Sequence, residues 1–177
     1  MAVQIGAKPD SSFEDPIGML KDCHRRIEHF LNILCLVAER GGDRSLTEEE
    51  HSAVKAALQY FHTGGERHTL DEEESLFPRL SSAAGEDGLE VIERLVRDYT
   101  HAADLHASVD WLYTAWIRDG ALEPTDQQQL LSHTASLKQL YKQHIEIEET
   151  IIFPHAAEIL DSQAIAAIGQ EFIIRRK

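Results

Sequence analysis

The sequence has few cysteines, no long apolar run and a shortage of positive charge, and each absence narrows the class of protein. Its two cysteines, Cys23 and Cys35, fall within one predicted helix. At a rise of about 1.5 Å per residue they lie roughly 18 Å apart, too far to form a disulfide with each other. Unpaired thiols are typical of reducing compartments, so we expect a cytoplasmic protein.

Membrane insertion and secretion are not indicated. No apolar run approaches the ~20 residues that a membrane-spanning helix needs. The N-terminal stretch MAVQIGAKPDSSFEDP contains no apolar core of the signal-peptide kind. We therefore expect a soluble protein without a membrane partner.

The charge balance disfavours polyanionic partners. Lys and Arg number 17 against 31 Asp and Glu, which gives a formal net charge of -14 at pH 7. Nucleic acids and anionic membranes bind cationic protein faces, so neither is expected as a partner. The one basic block, Arg175–Lys177, is too short to change this expectation.

Several common site motifs are also missing. The chain contains no H-E-x-x-H, no paired C-x-x-C, no P-loop and no G-x-S-x-G. A ferritin-like di-iron site needs two Glu-x-x-His motifs. Only Glu48-x-x-His51 fits that pattern, at the exposed start of a predicted helix, so this kind of site is not expected.

What the sequence does contain is helical periodicity over most of its 177 residues. Hydrophobic residues at 42% and charged residues at 27% are typical of one globular domain. Apolar residues recur at steps of three and four in long stretches that Gly, Pro and capping patterns separate. The predicted helices run from Pro16 to Gly41, from the capping pattern Ser45–Glu48 to an end at Pro78–Leu80, from about Leu89 to Asp119, from the capping pattern Thr125–Gln128 to Pro154, and, for a short fifth, from an N-cap at Ser162.

These elements predict an all-α fold. Four long helices joined by short loops, one of them over 81–88, indicate an up-down-up-down four-helix bundle with a short C-terminal fifth helix. We expect residues 1–14 to form a flexible N-terminal segment and residues 15–177 to form the bundle.

An internal repeat carries the chemistry. Two segments, His68–Pro78 and His144–Pro154, both follow the pattern H-x-x-x-E-E-x-x-x-F-P. His24 precedes the first segment by 44 residues, and His101 precedes the second by 43. Residues four apart share a helix face, so each His and its Glu converge in the bundle interior. Buried carboxylates need compensation, and a metal pair supplies it; this ligand type suits iron, with manganese and zinc less favoured.

The chain resembles the hemerythrin-like (HHE cation-binding) family. The resemblance rests on CHRRIEHF in the first helix and on the two H-x-x-x-E-E…F-P segments. It implies a four-helix bundle that holds two non-haem iron ions with an oxo or hydroxo bridge. The positions implicated as metal ligands are His24, His68, Glu72, His101, His144 and Glu148.

The chain departs from the oxygen-carrying hemerythrins, which have H-x-x-x-H in the third helix and H-x-x-x-x-D in the fourth. Leu105 lies four residues after His101, and Glu148 lies four, not five, after His144. His106 is the alternative third-helix ligand, nearer the centre of the apolar face. Fewer ligands leave more open metal positions, which favours peroxide or nitric oxide over oxygen storage, unless water, Tyr99 or His106 fills one.

Three further residues are candidates for the surroundings of the site. Glu28, four residues after His24, either orients that imidazole or lies at the surface. Tyr141 precedes His144 by one turn, and Gly65 precedes His68 in the same way. We expect Gly65 either to open space beside the metals, for Tyr141 or a ligand path, or to serve helix packing. Glu73 and Glu149 are expected either to be solvated or to contact the ligands from outside, not to be ligands themselves.

The expected function is reaction of a di-iron centre with a small oxidant. If the protein is an enzyme, the sequence favours an oxidoreductase of the catalase, peroxidase or nitric-oxide-reductase type. The alternatives are a module that binds or senses O₂ or iron without turnover, and an iron-donating stress-repair protein. A cysteine-bearing delivery segment, expected of the last class, is missing. The sequence does not indicate which protein, if any, is a partner.

Overall fold

The structure is a computed structural model that describes residues 11–83 and 86–177. Five helices and no strand occur in these residues, so the predicted all-α fold is confirmed. None of the helices in the described ranges is long and apolar enough to cross a membrane. Helix α1 spans Pro16–Glu39, α2 is a continuous run over 48–83, α3 spans Glu86–Asp119, α4 is a continuous run over 124–159, and α5 spans Ser162–Arg175.

The starts of α1 and α2 follow local capping chemistry. The Asp15 carboxylate accepts a hydrogen bond from the backbone N–H of Gly18, and proline occupies the first turn of α1. In α2, Thr47 and Glu50 form a reciprocal capping box, two residues beyond the predicted pattern Ser45–Glu48. Glu50 is buried, and its carboxylate also accepts from Arg44 at 2.8 Å, which holds it over the helix start.

The starts of α4 and α5 also differ from their predicted positions. Helix α4 begins at Pro124 with no side-chain cap bond, so the predicted pattern Thr125–Gln128 lies inside the helix. In α5 the capping residue is Asp161, whose carboxylate accepts from the N–H of Ala164 at 2.8 Å, one residue before the predicted N-cap.

Three π-turns interrupt the two long runs. They span Phe61–Gly65 and Glu72–Leu76 in α2 and Glu148–Ile152 in α4. The α-helical segments that follow carry Pro78 and Pro154 in their first turn, where proline is tolerated. Helix α2 therefore continues to residue 83, beyond the predicted end at 78–80, and α4 continues beyond the predicted end at Pro154 to residue 159. Helix also covers 81–83 and 86–88 of the predicted loop, whose residues 84 and 85 lie outside the described residues.

The core has two apolar clusters with a polar layer between them. On α1, Leu20 belongs to one cluster and Ile27 to the other, and the buried His24 lies between these two positions. On α4, His144 lies in the same way between Tyr141 and Ile152. Apolar packing on both sides thus holds the polar side chains at mid-height of the bundle and keeps them from water.

Helix α5 is tied to α2 by its basic end. Arg175 and Arg176 contact the fully buried Asp71 at 2.7 Å and 2.6 Å. The backbone carbonyl oxygen of Phe13 lies directly against Gly169, so a Cβ at that position would clash with it. Of the segment predicted to be flexible, residues 1–10 lie outside the described residues, whereas residues 11–14 run along α1 and α5.

Candidate metal centre

Four buried side chains from three helices meet in the polar layer. They are His24 of α1, His68 and Glu72 of α2, and Glu148 of α4, and one potential ligand atom of each lies within 4.8 Å of the others. His144 extends the group, since its Nε2 lies 2.9 Å from Oε1 of Glu148. All five side chains are at most 2% exposed. The structure thus brings together five of the six residues predicted as ligands.

The π-turns place the two carboxylates. Both Glu72 and Glu148 are the first residue of a π-turn, and each follows its histidine by one helical turn. A π-turn adds one residue to the turn, and such turns are frequent at functional sites. The two segments of the repeat therefore share a π-turn at the same position as well as a sequence pattern.

Glu148 lies between two imidazoles. Its Oε2 is 3.1 Å from Nε2 of His24, and its Oε1 faces Nε2 of His144. Burial alone raises the pKa of Glu148, but the two histidines outweigh it and hold the pKa below its ordinary value. This carboxylate is the negative charge of the centre.

Glu72 has the opposite electrostatic character. Burial raises the pKa of Glu72 well above its ordinary value, and the charge of Glu148 raises it further. Its Oε2 accepts a short hydrogen bond from the hydroxyl of Tyr99. Without a cation nearby, Glu72 therefore favours its protonated form.

The first and second histidines differ as well. His24 also places Nδ1 2.8 Å from Oε1 of Glu149. Burial lowers the pKa of His24, but Glu148 and Glu149 outweigh it and raise the pKa above its ordinary value. Burial, with the nearby His24, lowers the pKa of His68 to about 3, so its imidazole is neutral and offers one ring nitrogen as a ligand.

The residues fit a metal ion because their polar atoms lack other partners. Oxygen and nitrogen atoms approach each other here without the alignment of hydrogen bonds, as ligands around a common point do. An unpaired buried polar group costs about 1–3 kcal/mol, and a cation compensates several at once. The buried atoms without a hydrogen bond include Nε2 of His24, Nδ1 of His68, Oε1 of Glu72, Nε2 of His144 and both carboxylate oxygens of Glu148.

The contribution of α3 differs from the prediction. His101 is exposed and faces a surface groove that Asp98 and Gln143 also line, so it does not reach the cluster. Successive residues are about 100° apart around a helix, and the buried Tyr99 and Ala102 set the inward face. Tyr99 is the α3 side chain at the centre, with its ring 4.5 Å from the ring of His144. Leu105 packs in the apolar core.

The other predicted neighbours have distinct places. His106 is half-buried, and its Nε2 lies 3.1 Å from the hydroxyl of Tyr141. Both line a cavity of about 490 Å³ between α2 and α3, together with Gly65 and Tyr99. This supports the expectation that Gly65 borders open space. Glu28 is exposed, in agreement with the surface alternative.

Residues 15–156 match the hemerythrin HHE cation-binding domain. The chain belongs to this family. A comparison with curated proteins gives no match. As a hemerythrin-type domain, the chain pairs a helical bundle with a buried His/Glu cluster that can hold a metal ion.

Two contacts at the site were not foreseen as such. Glu149 hydrogen-bonds His24 across the two halves of the repeat, and the duplicated second Glu was the signal for it. Asp71 directly precedes Glu72, and the two arginines of α5 hold it. Its only sequence signal was an acidic residue next to a predicted ligand.

Proposed function

We propose that this hemerythrin-type domain binds two iron ions and uses them to react with a small oxidant, with hydrogen peroxide as the substrate. The observation that carries the proposal is the set of buried imidazole and carboxylate atoms without hydrogen bonds. Two shared carboxylates with terminal imidazoles suit iron. The proposed ligands are His24, His68, Glu72, His144 and Glu148.

The ligand count supports peroxide over oxygen storage. The cluster contains three histidines and two carboxylates, and His101 does not add a fourth imidazole. A donor set of this size leaves more than one metal position open, which suits a substrate that engages both ions. Iron bound there supplies electron transfer and Lewis acidity.

The protein's own groups do the positioning and the proton handling. Glu149 holds the imidazole of His24 by its Nδ1, which turns Nε2 towards the centre. The hydroxyl of Tyr99 donates a hydrogen bond to Oε2 of Glu72 and so holds a proton at that atom. Apolar packing above and below the layer keeps bulk water out.

The test begins with metal content on protein produced with iron, alongside its visible spectrum in air. We expect about two irons per chain, as in two-metal sites, and oxygen release when peroxide is added. His68→Ala should lose both iron and activity. His101→Ala is the matched control and should keep both, because that side chain is exposed.

The outcomes separate the competing functions. Zinc or no metal in the iron-grown protein would contradict the di-iron centre. Two irons without oxygen release from peroxide would contradict the peroxide reaction. Binding of O₂ without turnover, reduction of nitric oxide and transfer of iron to an apo acceptor can then be assayed on the same preparation.

A further inference from the structure

The cavity between α2 and α3 is larger than a small oxidant needs. Its volume is about 490 Å³, and it adjoins the π-turn Phe61–Gly65. One water molecule occupies about 30 Å³ of liquid, and peroxide is little larger. Cavities of roughly 300–1,000 Å³ with mainly apolar walls are typical sites for small organic molecules.

The walls are apolar and aromatic, with one buried polar pair. The ring of His106 lies 4.5 Å from that of Phe61, and its Nε2 meets the hydroxyl of Tyr141. Burial lowers the pKa of His106 to about 4, so this pair is a neutral hydrogen-bonding group. The remaining apolar wall consists of Leu58, Leu70, Ala102, Ala103 and Ala107.

The charged residues of the lining are acidic. Glu66, Asp110 and the exposed His62 line the cavity, and Oδ1 of Asp110 lies 3.0 Å from Nε2 of His62. Among the described residues that line it there is no Lys or Arg. Together with the net charge of -14, this lining opposes carboxylates, phosphates and other anions.

We propose that this cavity is a binding site for a small neutral aromatic molecule that carries a hydroxyl group. The aromatic ring packs against Phe61, and the hydroxyl exchanges hydrogen bonds with the His106–Tyr141 pair. Tyr99 lies in the same lining and contacts Glu72, so a bound molecule is one side chain away from the centre. The site itself does not depend on metal.

The test uses 2-naphthol as the probe and the full chain, both as isolated and after chelation. Calorimetric titration should give the same affinity in both states, because the cavity is formed by protein alone. Naphthalene lacks the hydroxyl group and should bind up to about tenfold more weakly than 2-naphthol, which corresponds to one lost hydrogen bond. The anion 2-naphthoate should also bind more weakly, because the charged groups of the lining are acidic.

Two pairs of variants test the position of the probe. Ala103→Phe fills the cavity from an exposed position of α3 and should abolish binding, whereas Ala135→Phe, exposed in the groove between α3 and α4, should leave it unchanged. Tyr141→Phe should weaken 2-naphthol by up to about tenfold and leave naphthalene unaffected. Circular dichroism checks that each variant is folded.

The inference is overturned if 2-naphthol binds Ala103→Phe as well as the unmodified chain, or if 2-naphthoate binds as tightly. Binding that disappears after chelation would also overturn it, because the probe would then be a metal ligand. Failure of the iron assay leaves this test intact, since chelated protein serves for it.

Discussion

The two glutamates at the centre should lose very different amounts of stability on the same substitution. Glu72 and Glu148 are both fully buried, both begin a π-turn and both follow a histidine by one turn. Glu72→Gln and Glu148→Gln are therefore matched in size, depth and backbone setting. They differ in the charge that is removed.

For Glu148→Gln the substitution removes a negative charge that faces two imidazole nitrogens, at 3.1 Å and 2.9 Å. Removing one partner of a buried ion pair costs about 3–5 kcal/mol. His24 can release a proton in response, so we expect about 3 kcal/mol off the free energy of unfolding, the lower end of that range.

For Glu72→Gln little charge is lost in the metal-free protein. Burial and the charge of Glu148 raise the pKa of Glu72 well above its ordinary value, which favours the neutral form of the carboxyl group. A glutamine amide has a similar shape, and its oxygen can accept the hydroxyl of Tyr99. We expect a loss of about 1 kcal/mol or less in the free energy of unfolding.

The assay is urea unfolding of chelated protein at pH 7, with midpoint and slope compared between variants. Metal content is measured on a parallel, iron-grown sample, and there both variants should bind iron at least about tenfold more weakly. Equal destabilisation by the two substitutions, or a greater effect of Glu72→Gln, would refute the charge assignment. Undiminished iron in either variant would remove that residue from the proposed ligands.

Asp71, His106 and Gly65 give three further tests. Asp71→Asn weakens the contacts of Asp71 with two arginines of α5 and should lower the free energy of unfolding by about 3 kcal/mol. The control Glu74→Gln lies at the exposed side of the same cluster and should lower it by less than about 1 kcal/mol in the same urea assay. In the unfolded chain His106 binds a proton below about pH 6.5, whereas in the folded protein its burial delays protonation until about pH 4. Over that range the free energy of unfolding of the unmodified protein should fall by up to about 1.4 kcal/mol per pH unit relative to that of His106→Gln. Parallel curves of stability against pH for the two proteins would contradict this prediction. Gly65→Leu should slow peroxide turnover several-fold at unchanged iron content, because the added side chain begins 3.3 Å from Phe61 in the cavity wall. An unchanged rate in stopped-flow measurements would indicate that Gly65 serves helix packing only.

The helices and the His/Glu pairs were predictable because both depend on short spacing. Residues four apart on a helix meet whatever the rest of the chain does, so His144 and Glu148 follow from the pattern alone. The π-turns were not predictable, since no residue type specifies them. The prolines at 78 and 154 were therefore read as helix ends, although a π-turn precedes each of them and the helix continues beyond both.

The position of His101 on the third helix shows that spacing along the chain does not always predict which side chains meet. His101 was predicted from a distance of 43 residues to His144, close to the 44 that separate His24 from His68. A difference of one residue corresponds to about 100° of helix rotation. A loop lies between the two elements, so spacing along the chain does not determine that rotation. Burial of Tyr99, Ala102 and Leu105 determines it instead and turns His101 to the surface.

The two halves of the repeat differ where the cavity lies. Gly65 and Tyr141 occupy equivalent places, three residues before the two paired histidines, and both line the cavity. A second tyrosine at position 65 would put a ring into the space that the cavity occupies. On α3, Tyr99 contacts Glu72 and lines the same cavity. The duplicated His/Glu pairs thus form a buried cluster, and Gly65, Tyr141 and Tyr99, which the repeat does not duplicate, line a cavity large enough for an organic molecule.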